Sequence, residues 1–327
     1  MKRKIKWALI GCGKVVLKNK TTPFKNFNNT ITAICTTNIK HSINARKKLK
    51  LKKCNCYDNI YDLLNNEKFD AIYICTPPKY HFEYLKLLHN FNIPLIYVEK
   101  PFVLNLNQAK QIEKIYRNSN TKIFIAHYKR LMKKFVKLKY LIQKNIIGKV
   151  NKIEGSFDRP FNKDHLKSWI YNKEISGGGR FFDIGPHIID ILYNIFGNIS
   201  DIQSKVLYNK PEHSCENHLT TNFKIDNIKC FLSFDFDAQI EKDIIIIYGE
   251  KGYIETSINR NKPINIYNKN KKLIKSYKFK RPKTWGIETV KAIDKIIFKK
   301  KNNPNLVNLE QAIEIQSYIE KILTNNK

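Results

Sequence analysis

The sequence predicts an α/β chain: a parallel sheet with helices on both faces, followed by an α+β segment with a mainly antiparallel sheet. Three observations lead there. Between Ile5 and Ala126, short apolar runs alternate with helix-like segments at the spacing of βαβ units. The first run stops at a glycine pair, Gly11-Cys-Gly13. After residue 126 the rhythm gives way to several strands separated by polar turns. With 327 residues the chain can bury two cores, because domains of ~100–200 residues are usual. The change of rhythm divides it into 1–123 and 124–327.

Taken in order, Ile5-Lys-Trp-Ala-Leu-Ile10 is a short buried strand that ends at Gly11. Ile31-Thr-Ala-Ile-Cys35, rich in β-branched residues, is the second. His41 to Lys52 sets Ile43, Ala45 and Leu49 between charges, as a helix does. Ala71-Ile-Tyr-Ile-Cys75 ends in Thr76-Pro77-Pro78, where proline stops a central strand. A helix from His81 to His89 follows, then a strand from Pro94 to Val98 that ends in Glu99-Lys100-Pro101. Helix 107–116 and strand 122–126 complete the alternation. In the second segment a helix from Lys134 to Lys144 leads to a strand near Val150 to Phe157. Gly177-Gly-Gly179 opens a helix that reaches Phe196, with Gly197 as its C-terminal stop. Strands fill 202–279, among them the alternating Cys230-Phe-Leu-Ser-Phe-Asp-Phe236 and the apolar Asp243 to Tyr248, which runs into the turn Gly249-Glu-Lys-Gly252. The Lys/Asn-rich stretch 257–283 reads as exposed loops and an edge strand. Leu309 to Leu323 is a last helix, capped by Asn308.

Composition excludes several function classes. No window approaches the ~18 apolar residues of a membrane span, so no membrane partner is expected. The opening Met1 to Cys12 has the outline of an export signal, yet only Trp7 to Ile10 separates Lys6 from Gly11. A signal needs an apolar stretch of ~7–15 residues. Seven cysteines, an odd number without framework spacing, fit a reducing interior. Cys54-Asn-Cys56 lacks the spacer of a zinc site. The chain reads as cytoplasmic. Its net charge of +32 raises the question of a polyanion. The excess is mostly Lys, however, spread along the chain with abundant Asn and Ile, all residues of A/T-rich codons. Codon composition explains it as well as selection does, and phosphate readers favour clustered Arg forks. No nucleic-acid partner is expected. A small-molecule substrate, with anionic groups allowed, is.

The motifs fall where strands end. Gly11 allows a tight turn and Gly13 lets the backbone approach a pyrophosphate at a helix N-terminus, with Cys12, Lys14 and Val15 completing the loop. The usual third small residue is Val16 here. At the end of the second strand an NAD enzyme places a carboxylate for the ribose 2′-OH. This chain has Thr36 and Thr37, with Lys40 nearby. Small hydroxyls and a cation tolerate a 2′-phosphate, which favours NADP over NAD; a simple polar turn is the other reading. Thr76, Pro77 and His81, like Glu99 and Lys100, lie at carboxyl ends of strands, the ligand edge of an open α/β sheet. Further on, Asp183, His187 and Asp190 share one helical face at i, i+4 and i+7. A carboxylate there can orient the imidazole as a general base. A structural histidine is the alternative. No suitably spaced second His supports a metal, and none is expected.

Gly11-Cys-Gly13, Cys75-Thr-Pro-Pro78 with His81, Glu99-Lys-Pro101, Tyr128 with Arg130, and Gly177-Gly-Gly179 with Asp183, His187 and Asp190 occur in one order. Together they resemble the Gfo/Idh/MocA family of NAD(P)-dependent oxidoreductases over nearly the whole chain. The resemblance implies an N-terminal Rossmann domain and a C-terminal domain that binds substrate and carries an open sheet used for dimerisation, as a homodimer or homotetramer. It implies hydride transfer between the nicotinamide and a sugar, polyol, inositol or nucleotide-sugar alcohol or carbonyl. Lys100 would then hydrogen-bond the reacting oxygen, His187 act as general base or acid, and Asp183 sit beside substrate hydroxyls. Tyr128, Arg130 and Trp169 are candidates for the substrate rim, with core packing as the alternative for each. A non-catalytic NAD(P)-binding regulator on the same scaffold is the rival function.

Overall fold

The computed structural model describes residues 4–13, 16–17, 29–161, 169–208, 215–282, 284–299 and 303–324. The contacts divide the chain into two compact units, Met1–Leu131 with Pro282–Ile313, and Met132–Arg281 with Glu314–Lys327. Residues 282–313 thus return to the first unit, which a single cut at 123/124 does not anticipate.

The first unit is built on a seven-stranded sheet. Its strands are β1 (Ile5–Ile10), β2 (Asn29–Cys35), β3 (Asn55–Tyr57), β4 (Ala71–Ile74), β5 (Leu95–Val98), β6 (Lys122–Ile125) and β15 (Val307–Asn308), in the order β15-β6-β5-β4-β1-β2-β3. All pairs are parallel except β15 with β6. Every residue of β4 and β5 is buried, the mark of a parallel sheet covered on both faces. The helices between strands are α1 (Ile39–Lys48), α2 (Ile60–Asn66), α3 (His81–His89) and α4 (Leu106–Tyr116). Asparagines start three of them: the Asn38, Asn59 and Asn105 side chains accept backbone N–H groups of the first turn.

The chain runs outward from β1 through β2 to β3, then returns to the other side of β1 for β4, β5 and β6. That reversal opens a crevice beyond the carboxyl ends of β1 and β4, the place where such sheets bind ligands. Helix α8 (Ile287–Lys299) closes the core from the far end of the sequence. Its Val290, Ile293 and Ile296 pack with Trp7, Leu9 and Ile31. Asn29 joins the two segments: its Oδ1 accepts from Trp7 Nε1 at 2.7 Å, and its Nδ2 donates to both Asp294 oxygens at 2.8 and 3.0 Å.

The second unit holds an eight-stranded sheet in the order β14-β13-β12-β11-β7-β10-β9-β8. These are β7 (Val150–Asp158), β8 (Ile199–Leu207), β9 (His218–Ile225), β10 (Ile228–Asp235), β11 (Lys242–Gly249), β12 (Gly252–Thr256), β13 (Ile264–Asn268) and β14 (Leu273–Tyr277). Neighbours are antiparallel except β10 with β7. Burial alternates along β9 and β11, so one face is packed and the other open. The helices are α5 (Lys133–Gln143), the single turn α6 (Lys173–Ser176) and α7 (Arg180–Phe196). α7 lies on the packed face, where Phe181 meets Phe234 edge to face at 5.0 Å and Phe234 stacks on Phe157. On the open face Tyr253 stacks on Tyr267 at 4.7 Å and neighbours Tyr248. Helix α9 (Leu309–Thr324) begins as the sequence predicts, with Asn308 Oδ1 accepting Gln311 N–H at 2.9 Å. Among the described residues no helix is long and apolar enough to cross a membrane.

Candidate functional site

In the first unit the predicted cofactor residues line the carboxyl edge of the sheet. Gly11 takes φ +84°, and a Cβ there would lie 2.8 Å from Thr76 Cγ2, so only glycine fits. Its N–H bonds Cys35 O at 2.8 Å, locking the loop to the end of β2. Gly13 is the opposite case: among the described residues, a Cβ built on it meets nothing within 4 Å. Leu17 N–H bonds Gly13 O at 3.1 Å, a helical bond that starts directly behind the loop. Lys14 and Val15 lie outside the described residues. Val16, in the place of the third small residue, is buried in the core. Burial pushes the Cys12 thiol up to about 12, so it is no nucleophile.

Thr36 is turned inward. Its Oγ1 donates to Asn38 O at 2.8 Å and lies 2.9 Å from Ser42 Oγ, while Thr37 is exposed. His81 is fully buried. Its Nε2 lies 2.8 Å from Thr76 O and its Nδ1 lies 2.9 Å from Phe102 O and 3.1 Å from Pro101 O. It therefore joins the loop after β4 to the loop after β5. Burial lowers its pKa.

Lys100 is half-buried at the end of β5, next to Glu99, which accepts a short hydrogen bond from Tyr73 Oη. Pro101 follows through a cis peptide bond. His127, two residues beyond the end of β6, is not singled out by the sequence. Burial drives its pKa well below the ordinary 6.5, and the nearby Arg130 and Lys100 charges add to this. It is a neutral imidazole in the field of two cations.

In the second unit the Asp183/His187 face forms as predicted. Asp183 is half-buried at the start of α7, His187 is buried and Asp190 has no exposure. The face thus runs from an accessible carboxylate through the imidazole into the interior, and Asp190 belongs to the packing. Pro186 lies within α7 and Gly197 (φ +106°) ends it. Trp169 is 36% exposed at the turn before α6.

Residues 5–127 match the family described as "Oxidoreductase family, NAD-binding Rossmann fold", and residues 135–255 match "GFO/IDH/MocA C-terminal domain". The chain belongs to the Gfo/Idh/MocA family of oxidoreductases. It is 30% identical over 295 residues to Oxidoreductase P35 of Formosa agariphila, covering 86% of this chain and 87% of that protein. Its fold is that of the aldose-aldose oxidoreductase of Caulobacter crescentus, solved with glycerol (TM-score 0.86, 14% identity, 99% of this chain and 97% of that one). It is equally that of the super-repressor mutant of Gal80p from Saccharomyces cerevisiae (TM-score 0.85, 19% identity, 99% and 96%).

The Gfo/Idh/MocA residues present fit the nicotinamide dinucleotide that the family binds. The space beside Gly13 is where a pyrophosphate would lie, against the backbone of the loop. Two rim candidates sit deeper than the sequence suggests. Tyr128 is buried and stacks on Trp285 at 5.8 Å. Arg130 is 1% exposed and its Nη1 donates to Gln311 at 3.0 Å. Both pack within the first unit, because the turn after β6 folds back under the returning segment that carries Trp285 and Gln311.

Residues that the motifs do not name hold the second glycine-rich loop. Ser176 Oγ donates to Gly178 O at 2.7 Å, Cys215 Sγ lies 3.2 Å from the same oxygen, and Glu216 accepts from the first turn of α7. Nothing in the sequence around Cys215-Glu-Asn217 marks this role.

Proposed function

We propose that this chain is an oxidoreductase transferring a hydride between NAD(P) and a CH–OH or carbonyl carbon of a sugar, polyol, inositol or nucleotide-sugar. The observation that carries the reading is Lys100: a half-buried ammonium on the same sheet edge as the open Gly13 loop, beside a neutral His127. Bound NAD(P) supplies the hydride acceptor or donor. Lys100 donates a hydrogen bond to the reacting oxygen and stabilises the charge that develops there. His187 takes the hydroxyl proton on a ring nitrogen in oxidation and returns it in reduction, and Asp183 orients substrate hydroxyls. The absence of a carboxylate at Thr36 and Thr37 supports NADP over NAD. The half-buried Lys100 ammonium supports a substrate with anionic groups.

We place the protein in the cytoplasm as a homodimer or homotetramer that associates through the open face of β8–β14, where the Tyr248, Tyr253 and Tyr267 ladder offers apolar area. Nucleic acid and membrane stand outside the proposal. Purified chain is tested for binding of NAD⁺, NADH, NADP⁺ and NADPH, then screened against sugars and polyols by nicotinamide absorbance. Turnover that survives in both Lys100→Ala and His187→Ala would remove these roles. Cofactor binding without any turnover would favour the regulator reading, for which the Gal80p likeness is the supporting observation.

A further inference from the structure

Glu216 stands at the head of β9 and is 2% exposed. Its Oε1 accepts the backbone N–H of Phe181 in a short hydrogen bond, and the Phe182 N–H bonds the carboxyl as well. These are first-turn donors of α7, which a helix cannot satisfy internally. The N-cap of α7 is Gly179, which has no side chain to do it. A Cβ on Gly179 would meet Glu216 Oε2 at 2.6 Å and Cys215 Cβ at 2.5 Å. The carboxylate thus fills the place of the missing side chain.

The first turn of α7 needs this support. Pro186 has no N–H, so the bond to the Phe182 carbonyl is missing, and the turn that carries Asp183 is tied to the rest of the helix more loosely. Charge bears on the same point. Burial outweighs the backbone bonds and lifts the Glu216 carboxyl to about 7. Lys173 on α6 is the cation facing it, and Tyr171, Tyr208 and Cys215 are the other titratable groups in its field.

We infer that Glu216 is the positioning residue of the Asp183/His187 helix: its carboxyl seats the first turn of α7 and so sets the direction in which both side chains leave it. The consequence for turnover rests on the hydride-transfer reading above; the seat itself is a property of the second unit.

The test compares Glu216→Gln, which keeps one carbonyl acceptor but sets an amide N–H₂ against a backbone N–H, with Glu216→Leu, which removes both acceptors. Amide exchange at Phe181, Phe182 and Asp183, kcat, and cofactor Kd are measured on the full chain. Expected is exchange accelerated by about tenfold or more in the Leu variant and less in the Gln variant. With it comes kcat reduced by about tenfold or more, partly rescued by Gln, with cofactor Kd within about twofold. A merely structural carboxyl would lower Tm and leave kcat of the folded protein alone. Unchanged exchange and kcat in folded variants would overturn the inference. Should both variants fail to fold, the unaltered protein decides. Protection of the Phe181 and Phe182 amides relative to Leu192, corrected for intrinsic rate, should rise as pH rises through about 7, because the ionised carboxylate accepts their N–H groups more strongly than the neutral acid does; a flat profile overturns it. If no chain turns over any substrate, the hydride reading fails and the exchange data still judge the seat.

Discussion

The two glycine-rich loops of this protein use the same residue for opposite ends. At Gly11-Cys-Gly13 the second glycine faces open space among the described residues. At Gly177-Gly-Gly179 the space is already taken: a Cβ on Gly178 would lie 2.6 Å from Phe182 Cβ, and one on Gly179 would run into Cys215 and Glu216. The first loop is shaped for a guest. The second is shaped for the protein's own carboxyl and the helix it seats. Glycine spacing alone does not separate the two cases; what occupies the missing side chain's place does.

Removing the two side chains proposed for the chemistry, one in each unit, should give the largest effects. Lys100→Ala and His187→Ala are each expected to lower kcat by about 10²–10⁴-fold, with Tm and cofactor Kd little changed. Steady-state kinetics beside a thermal scan check this.

The carboxyl that packs against the second loop predicts a pH dependence. Glu216 ionises near 7 in the folded chain against an ordinary value of 4.5. Its contribution to stability is therefore present below 4.5 and lost as pH rises to about 7, a change of about 3 kcal/mol at most. Relative to the natural protein, Glu216→Gln should gain stability by up to that amount between those pH values. Urea unfolding at pH 4.5, 6 and 8 measures it, and a constant difference between the two proteins would contradict the assignment.

Smaller effects should separate the loops by position. Gly179→Ala meets atoms at 2.5–2.6 Å and should cost about 1–3 kcal/mol as overpacking, seen as a lower Tm. Gly13→Ala meets nothing. Its Tm should stay where it is, while NAD(P) affinity falls by about tenfold because the added methyl occupies the pyrophosphate's side of the loop. If Gly13→Ala lost stability and kept affinity, the contrast between the loops would collapse.

Much of this was legible in the sequence because the signals are local. β1 ends at Gly11 as read, α3 runs from His81 to His89, and α7 ends at Gly197. What the sequence hid depends on distant partners. β3 and α2 are short, three and seven residues, and take their shape from the sheet edge they join. Helix α8 carries the helical spacing Val290, Ile293 and Ile296 in plain view, but its place in the first unit depends on Asn29, 265 positions from Asp294. Glu216 lies 35 positions beyond Phe181, whose N–H it accepts. Position in the chain makes His81 a cofactor candidate, and Arg130 a candidate for either the substrate rim or core packing. Burial makes the first a clamp between loops and the second a bond to Gln311.

The most direct test of the account is calorimetric titration of the purified chain and of Gly13→Ala with NAD⁺, NADH, NADP⁺ and NADPH. The account predicts that one oxidised and reduced pair binds the natural protein at micromolar Kd, that NADP(H) is the tighter pair, and that Gly13→Ala weakens it about tenfold without loss of fold. Failure of all four to bind the folded protein would contradict it.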